Sequence, residues 1–405
     1  MSFFVDHPKA RWMLPVAAIG VIGAMALTVN QTANADSGLP ARTAAQLLAD
    51  VRSANVSSLS GTVVQTSDLG LPEIPGLGSS GRPGLASSSL TSLISGTHTW
   101  RVWLGGPTRQ RLALIGSNGE SDVIHNGMDV WLWSSADKTA VHHKLSADQV
   151  RAGSADKRLP SGLPSGLPSG VPSTLPSGAP RTPDEAAGAV LGLMGKDTTV
   201  TTSGTASVAG RSAYELVLTP KDKTTLVGSV RIAIDSQEHV PLRVQVFSTK
   251  LANPAFEVAF TAVDFAQPDA RQFAFTPPAG TTVTESGDLT TPKGGASANP
   301  APVKPSADPS AKVQGAPTIV GSGWSTVVVA PYTLPSPQNG GAGGSAADSA
   351  AQLGGILKAL PTTSGAWGSG HVLQGTLFSL VLTNDGRVAI GAVPPTQLYS
   401  ALAAK

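Results

Sequence analysis

The chain has 405 residues, enough for two or three domains, but 45 glycines and 32 prolines commit a sizeable part of it to linkers. Charged residues make up 13% and the formal net charge is +2, which supplies no basic field for nucleic acid. Cysteine is absent, so stability must come from a core rather than from disulfides, and the acylated cysteine of a bacterial lipoprotein is excluded.

The N-terminus reads as an export signal over residues 1–35. Lys9 and Arg11 precede an apolar run from Trp12 to Val29, and Ala33-Asn34-Ala35 has the small-x-small form that signal peptidase cleaves. The alternative is an uncleaved anchor, because the run approaches the roughly 20 residues that span a bilayer. No later segment is long and apolar enough to span. Either way the protein is expected outside the cytoplasm, in the periplasm or cell envelope.

Ala44, Leu47, Leu48, Val51 and Ala54 recur at helical spacing and leave Arg42, Asp50 and Arg52 off the stripe, so Ala41 to Asn55 reads as an amphipathic helix. Ser60 to Leu69 reads as a strand, followed by a Gly/Ser/Pro-rich excursion to about Gly96. Two alternating strands follow around a Gly-Gly-Pro turn. His98, Trp100, Val102 and Leu104 alternate with Thr99, Arg101 and Trp103; Gln110, Leu112 and Leu114 alternate with Arg109, Arg111 and Ala113.

Next comes a hairpin. Asn126-Gly127 suits a tight turn because both residues tolerate positive φ, which places Val123 opposite Val130 and on one face with Met128 and Leu132. Asp129, Trp131 and Trp133 share the other face, so both sides of this strand are largely apolar. Arg101, Arg109, Arg111 and Asp129 mark the outer face. The inner face is then Trp100, Val102, Leu104, Leu112, Leu114, Val123, Val130 and Leu132.

Between about 159 and 181 a Leu-Pro-Ser-Gly repeat denies both helix and sheet hydrogen bonding and reads as an extended, solvated insert. A helix is expected from Pro183 to Met194, then strand-turn-strand alternation from Thr199 to Thr276, the pattern of a large antiparallel meander. Residues 286–317, rich in Ala, Pro, Ser and Lys, read as a linker. The remainder, 318–405, reads as a small α+β domain with a helix at Ala346 to Leu360, a hairpin turned at Asp385-Gly386 and a closing helix that begins near Pro395.

Taken in order, the strand Gly61 to Gln65, the paired strands around Gly106 to Leu114, the turn-glycine hairpin with its aromatic-x-aromatic strand (Asn126, Gly127, Trp131, Trp133) and the Phe-x-Phe-x-Pro-Pro-x-Gly end (Phe273, Phe275, Pro277, Pro278, Gly280) resemble the LolA superfamily of periplasmic lipoprotein carriers, which includes the MucB/RseB regulators. The resemblance covers Thr43 to Val283 without the proline insert. It implies a mainly β fold with helices: a half-open antiparallel barrel, lidded by helices, within residues 36–285, whose concave side holds acyl chains.

On that reading the eight inner-face residues line a lipid cavity. Trp103, Trp131 and Trp133 either form a partner surface or half-cover one another and stack on Arg101 and Arg111. Two departures matter. Gly106 stands before Pro107 where the carriers have a basic residue that closes the lid, which argues against coupled transfer to a lipoprotein transporter. The C-terminal segment resembles the small domain that MucB/RseB proteins add, which shifts weight toward a regulator binding a membrane-bound anti-sigma factor. A third class, a surface protein whose proline insert spans the cell wall, would have neither ligand nor soluble partner.

The sequence carries no enzyme signature. No Gly-x-Ser-x-Gly elbow occurs, Gly195-Lys196 precedes Asp197 rather than completing a phosphate loop, and Asp385-Gly386 lacks the acid ladder of a calcium loop. His125, His142 and His143 lack metal-ligand spacing, so neither a metal nor a cofactor is expected.

Overall fold

The computed structural model describes residues 39–54, 56–71, 96–116, 119–147, 197–286, 317–332 and 360–404, with Val150, Thr182, Pro183 and Ala187 besides. The leader, the proline insert, the linker, most of the helix expected at 183–194 and nearly all of that expected at 346–360 lie outside these residues.

The described chain is mostly β with few helices, built as two open, largely antiparallel sheets. Helix α1 (Ala44–Ser53) begins at a capping box: Thr43 Oγ1 accepts from the Gln46 amide at 3.2 Å, while Gln46 Oε1 accepts from the Thr43 amide at 2.8 Å. Its predicted stripe is used: Leu47 is fully buried and Ala44, Leu48, Val51 and Ala54 pack on the main core.

The large sheet contains β1 (Ser58–Ser67), β2 (Gly96–Gly105), β3 (Arg109–Gly116), β4 (Gly119–Asn126), β5 (Asp129–Ser134), β6 (Thr139–Lys144), β7 (Thr198–Val208), β8 (Arg211–Pro220), β9 (Val227–Asp235), β10 (Pro241–Ser248), β11 (Pro254–Asp264) and β12 (Thr282–Ser286). Their order is β12-β6-β5-β4-β3-β2-β1-β11-β10-β9-β8-β7, so two runs of sequential hairpins are joined where β1 pairs with β11. A register shift between Thr62 and Val63 bends that junction. Gly61 is required beside it, because a Cβ there would lie 2.6 Å from the Ala262 carbonyl oxygen. The pairing of β12 with β6 is parallel.

One face of this sheet forms a continuous core from Trp100 and Leu112 through Val63, Phe260, Val244, Ile232 and Leu216, with α1 packed across β7 and β8. The other end of the sheet is held by Arg211, whose guanidinium meets Asp235 at 2.5 and 3.1 Å. Burial alone would raise the Asp235 carboxyl; Arg211 and the Glu238 and Gln237 amides outweigh it and hold the group below the usual carboxylate range.

The small sheet, in the order β13-β14-β18-β17-β16-β15, contains β13 (Thr318–Val320), β14 (Val327–Pro331), β15 (Thr362–Gly365), β16 (Gly368–Gln374), β17 (Ser379–Thr383) and β18 (Arg387–Gly391). Val327, Val372, Val381 and Ala389 pack with Leu398, Ala401 and Leu402 of the closing helix α2 (Pro395–Ala403). Trp367 stacks flat on Tyr399. Arg387 donates to the Leu402 and Trp367 carbonyls at 2.8 and 3.0 Å, which satisfies an acceptor at the helix end.

The two sheets are bonded to each other. The Thr376 amide donates to Leu69 O at 2.8 Å and its hydroxyl to Asp68 O at 3.0 Å, Ser248 Oγ donates to Thr376 O at 2.6 Å, and the Ala392 carbonyl accepts from the Leu226 amide and the Thr225 hydroxyl. Trp324 is buried in the core of the large sheet, its indole N–H donating to Thr198 Oγ1 at 2.8 Å.

Candidate functional site

The hairpin register decides how the candidate face is assembled. The turn residues are Gly127 and Met128, with Asn126 paired to Asp129, so Val123 faces Leu132 rather than Val130. This corrects the sequence reading, and the reason is local. Gly127 takes φ +66° at the first central position, so a single left-handed residue suffices, whereas a turn on Asn126-Gly127 needs two. The slip changes partners by two residues, so the faces are preserved. Met128 leaves the strand for the exposed turn.

Three rows of side chains cross the inner face from β1 to β6. The central row runs Gly61, Val102, Leu112, Val123, Leu132, Val141. One flank runs Val63, Trp100, Leu114, Ser121, Ser134, Thr139, and the other Leu59, Leu104, Gln110, His125, Val130, His143. All eight residues assigned to the inner face from sequence therefore share it. Trp100, Val102, Leu104, Leu112 and Leu114 are buried in the core, while Val123, Val130 and Leu132 are half-buried. Val141 belongs to the central row and was missed, although the alternation Thr139, Val141, His143 carried the signal.

The flanking row with the histidines is not inert. His125 is 6% exposed, and its Nε2 lies 2.9 Å from the Gly127 carbonyl oxygen. Burial lowers its pKa, with that hydrogen bond opposing, which favours the neutral ring. A carbonyl only accepts, so Nε2 carries the proton and Nδ1 presents a lone pair. His125 Nδ1, Gln110 Oε1 and His143 Nδ1 are all buried without a hydrogen-bond partner, as are Trp100 Nε1 and Thr139 Oγ1.

The outer face of the same strands is covered by the chain itself. A 3₁₀ turn, Ala270–Phe273, lies against β2, β3 and β4, and the Gln272 carbonyl accepts from Arg111 Nη1 at 3.4 Å. Phe273 is buried beneath Arg109, and Phe275 tilts against Trp131 and Trp133 at centroid distances of 5.3 and 5.8 Å. Trp103 lies between Arg101 and Arg111, at 5.5 and 5.0 Å. Trp103, Trp131 and Trp133 are thus half-buried with partners inside the molecule. Ile124, on the same face, is fully buried.

Beneath this cover Arg111 pairs with the buried carboxyl of Asp122 and lies 3.3 Å from Glu120. Burial pushes Asp122 up to about 8, with Arg111 pulling the other way. His142 bridges Asp129 at 2.9 Å and Glu285 at 2.8 Å. Thus His142 faces outward, whereas His125 and His143 face inward; among the described residues no three His, Cys, Asp or Glu side chains are placed to hold a metal ion. No helix among them is long and apolar enough to cross a membrane.

No family model matches the chain, and no curated protein matches it. Among solved structures the chain is similar, at low identity, to MucB of Pseudomonas aeruginosa in complex with MucA: 16% identity over 89% of this chain and 96% of that one, with a TM-score of 0.39. It is also similar to a LolA superfamily protein of Nitrosomonas europaea, at 11% identity over 58% of this chain and 99% of the other, TM-score 0.21. A third is a putative outer membrane lipoprotein-sorting protein domain of Vibrio parahaemolyticus, at 11% identity over 57% and 94% of the two chains, TM-score 0.16.

Proposed function

We propose that this protein is an exported, non-enzymatic binding protein that shelters the acyl chains of lipids or lipoproteins on the inner face of β4 to β6, beneath a helical lid. One observation carries the reading: the central apolar row is fully buried at Val102 and Leu112 but only half-buried at Val123 and Leu132. An apolar stripe left half-open between the filled core and the buried Val141 supports a guest there. Each buried methylene contributes roughly 0.8 kcal/mol, so two acyl chains bind usefully without charged contacts.

Organic extraction of purified protein followed by mass spectrometry tests the reading, and an extract without acylated species counts against it. Val130→Asp, at a half-buried position, abolishes loading in a folded protein; Leu114→Asp, in the filled core, unfolds the domain.

A second reading, a MucB/RseB-like envelope regulator that binds a membrane-bound anti-sigma factor, is favoured by the small sheet. Its face away from α2 carries Ile319, Val328, Ile390, Leu380 and Leu373 in one cross-strand row, with Ile319 69% and Ile390 39% exposed. An apolar row of that kind suits a protein partner. Ile390→Glu and Ile319→Glu abolish partner capture under this reading while lipid loading persists. They are cleaner than truncation at Pro317, which would strip Trp324 from the main core.

A further inference from the structure

The row Gln110, His125, Val130, His143 flanks the half-buried apolar stripe, and its chemistry differs from grease. His125, on β4, offers Nδ1 as an acceptor because Nε2–H is committed to the Gly127 carbonyl. Directly opposite on β3, Gln110 commits its amide N–H to the Pro107 carbonyl at 3.4 Å, which leaves Oε1 as a second acceptor. Both atoms are buried and unpartnered, and so is His143 Nδ1 on β6, which donates or accepts according to its tautomer. Buried polar atoms in folded proteins almost always have partners, so adjacent orphaned acceptors call for a donor from outside the chain. Carboxylate and fully ionised phosphate heads bring acceptors only and are mismatched; a hydroxyl brings what is missing.

Resting on the acyl-chain reading, we propose that Gln110, His125 and His143 recognise the hydroxyl-bearing head of an amphiphile, as in a partial glyceride, whose acyl chain lies along Val123 and Leu132. The hydroxyl donates to His125 Nδ1 or Gln110 Oε1, and the tail covers the central row. The row therefore selects among lipids of equal chain length by the donor capacity of the head.

The test compares 1-monolauroylglycerol with methyl laurate, which have the same chain with and without hydroxyls, by calorimetric titration of the full, lipid-free protein. The monoglyceride binds roughly three- to tenfold tighter, the worth of one or two good hydrogen bonds. His125→Phe removes that difference; Gln110→Met, at a half-buried position, reduces it and serves if His125→Phe does not fold. Equal affinities for the two probes, as when the row holds only ordered water, overturn the proposal while leaving the acyl-chain reading intact, and so does a preference that survives both substitutions. Failure of both probes to bind overturns the acyl-chain reading as well.

Discussion

The indole of Trp131 lies flat on the imidazole of His142, with ring centroids 4.1 Å apart and planes 12° from parallel. The same imidazole reaches Asp129 on β5 with one nitrogen and Glu285 on β12 with the other. One side chain thus ties the strand by which the chain leaves the large sheet to the tryptophan hairpin, in addition to the parallel ladder of β12 on β6.

Replacing His142 with alanine removes the stack and both carboxylate contacts. Amides of Thr282–Ser286 then exchange about tenfold faster, as hydrogen-exchange mass spectrometry reads, while protection of β9 is unchanged. Unaltered exchange in β12 would mean that the backbone ladder alone holds it.

Asp122 makes stability depend on pH. Its folded pKa, about 8, lies above the ordinary carboxylate value because of burial. A carboxyl that holds its proton more tightly when folded contributes stability at acidic pH that is lost as pH rises from about 4 toward 8. Asp122→Asn cannot titrate, so the wild type loses on the order of 10 °C in Tm relative to the variant between pH 5 and 8. Parallel Tm curves would show that the Arg111 pairing keeps Asp122 ionised throughout.

Along the central inner row, truncations separate core from site. Leu112→Ala costs about 2–5 kcal/mol in urea unfolding, as a fully buried leucine does. Leu132→Ala, half-buried, costs less than about 2 kcal/mol and weakens acyl-chain binding more than its stability loss accounts for. Equal destabilisation without an effect on binding would make Leu132 ordinary core.

Trp324 couples the two sheets, since its ring is buried in the main core and its N–H is spent on Thr198. Trp324→Ala costs about 3–5 kcal/mol and splits the calorimetric transition into two, the small sheet melting first. A single unshifted transition would assign the coupling to Thr376 and Ala392 instead.

What was legible in the sequence was local. Thr43 and the stripe from Ala44 to Ala54 announce α1, and the period-2 alternation of Trp100 to Leu104, Leu112 to Leu114 and Val130 to Leu132 sorts two faces before any pairing is known, because successive side chains of a strand must point opposite ways. Why one strand carries tryptophans on one face and aliphatics on the other could not be resolved at that level. The answer depends on Phe275 and His142 from other elements, and no signal inside Val123 to Lys138 records that the chain returns to cover Trp131 and Trp133. The junction of β1 with β11, the parallel seat of β12 and the docking of Thr376 on Asp68 and Leu69 are likewise long-range choices. They are set by the burial of whole faces against the cost of closing loops, which no single segment encodes. The polar row of Gln110, His125 and His143 emerges only once register aligns four strands, since each residue alone is an unremarkable member of an alternating pattern.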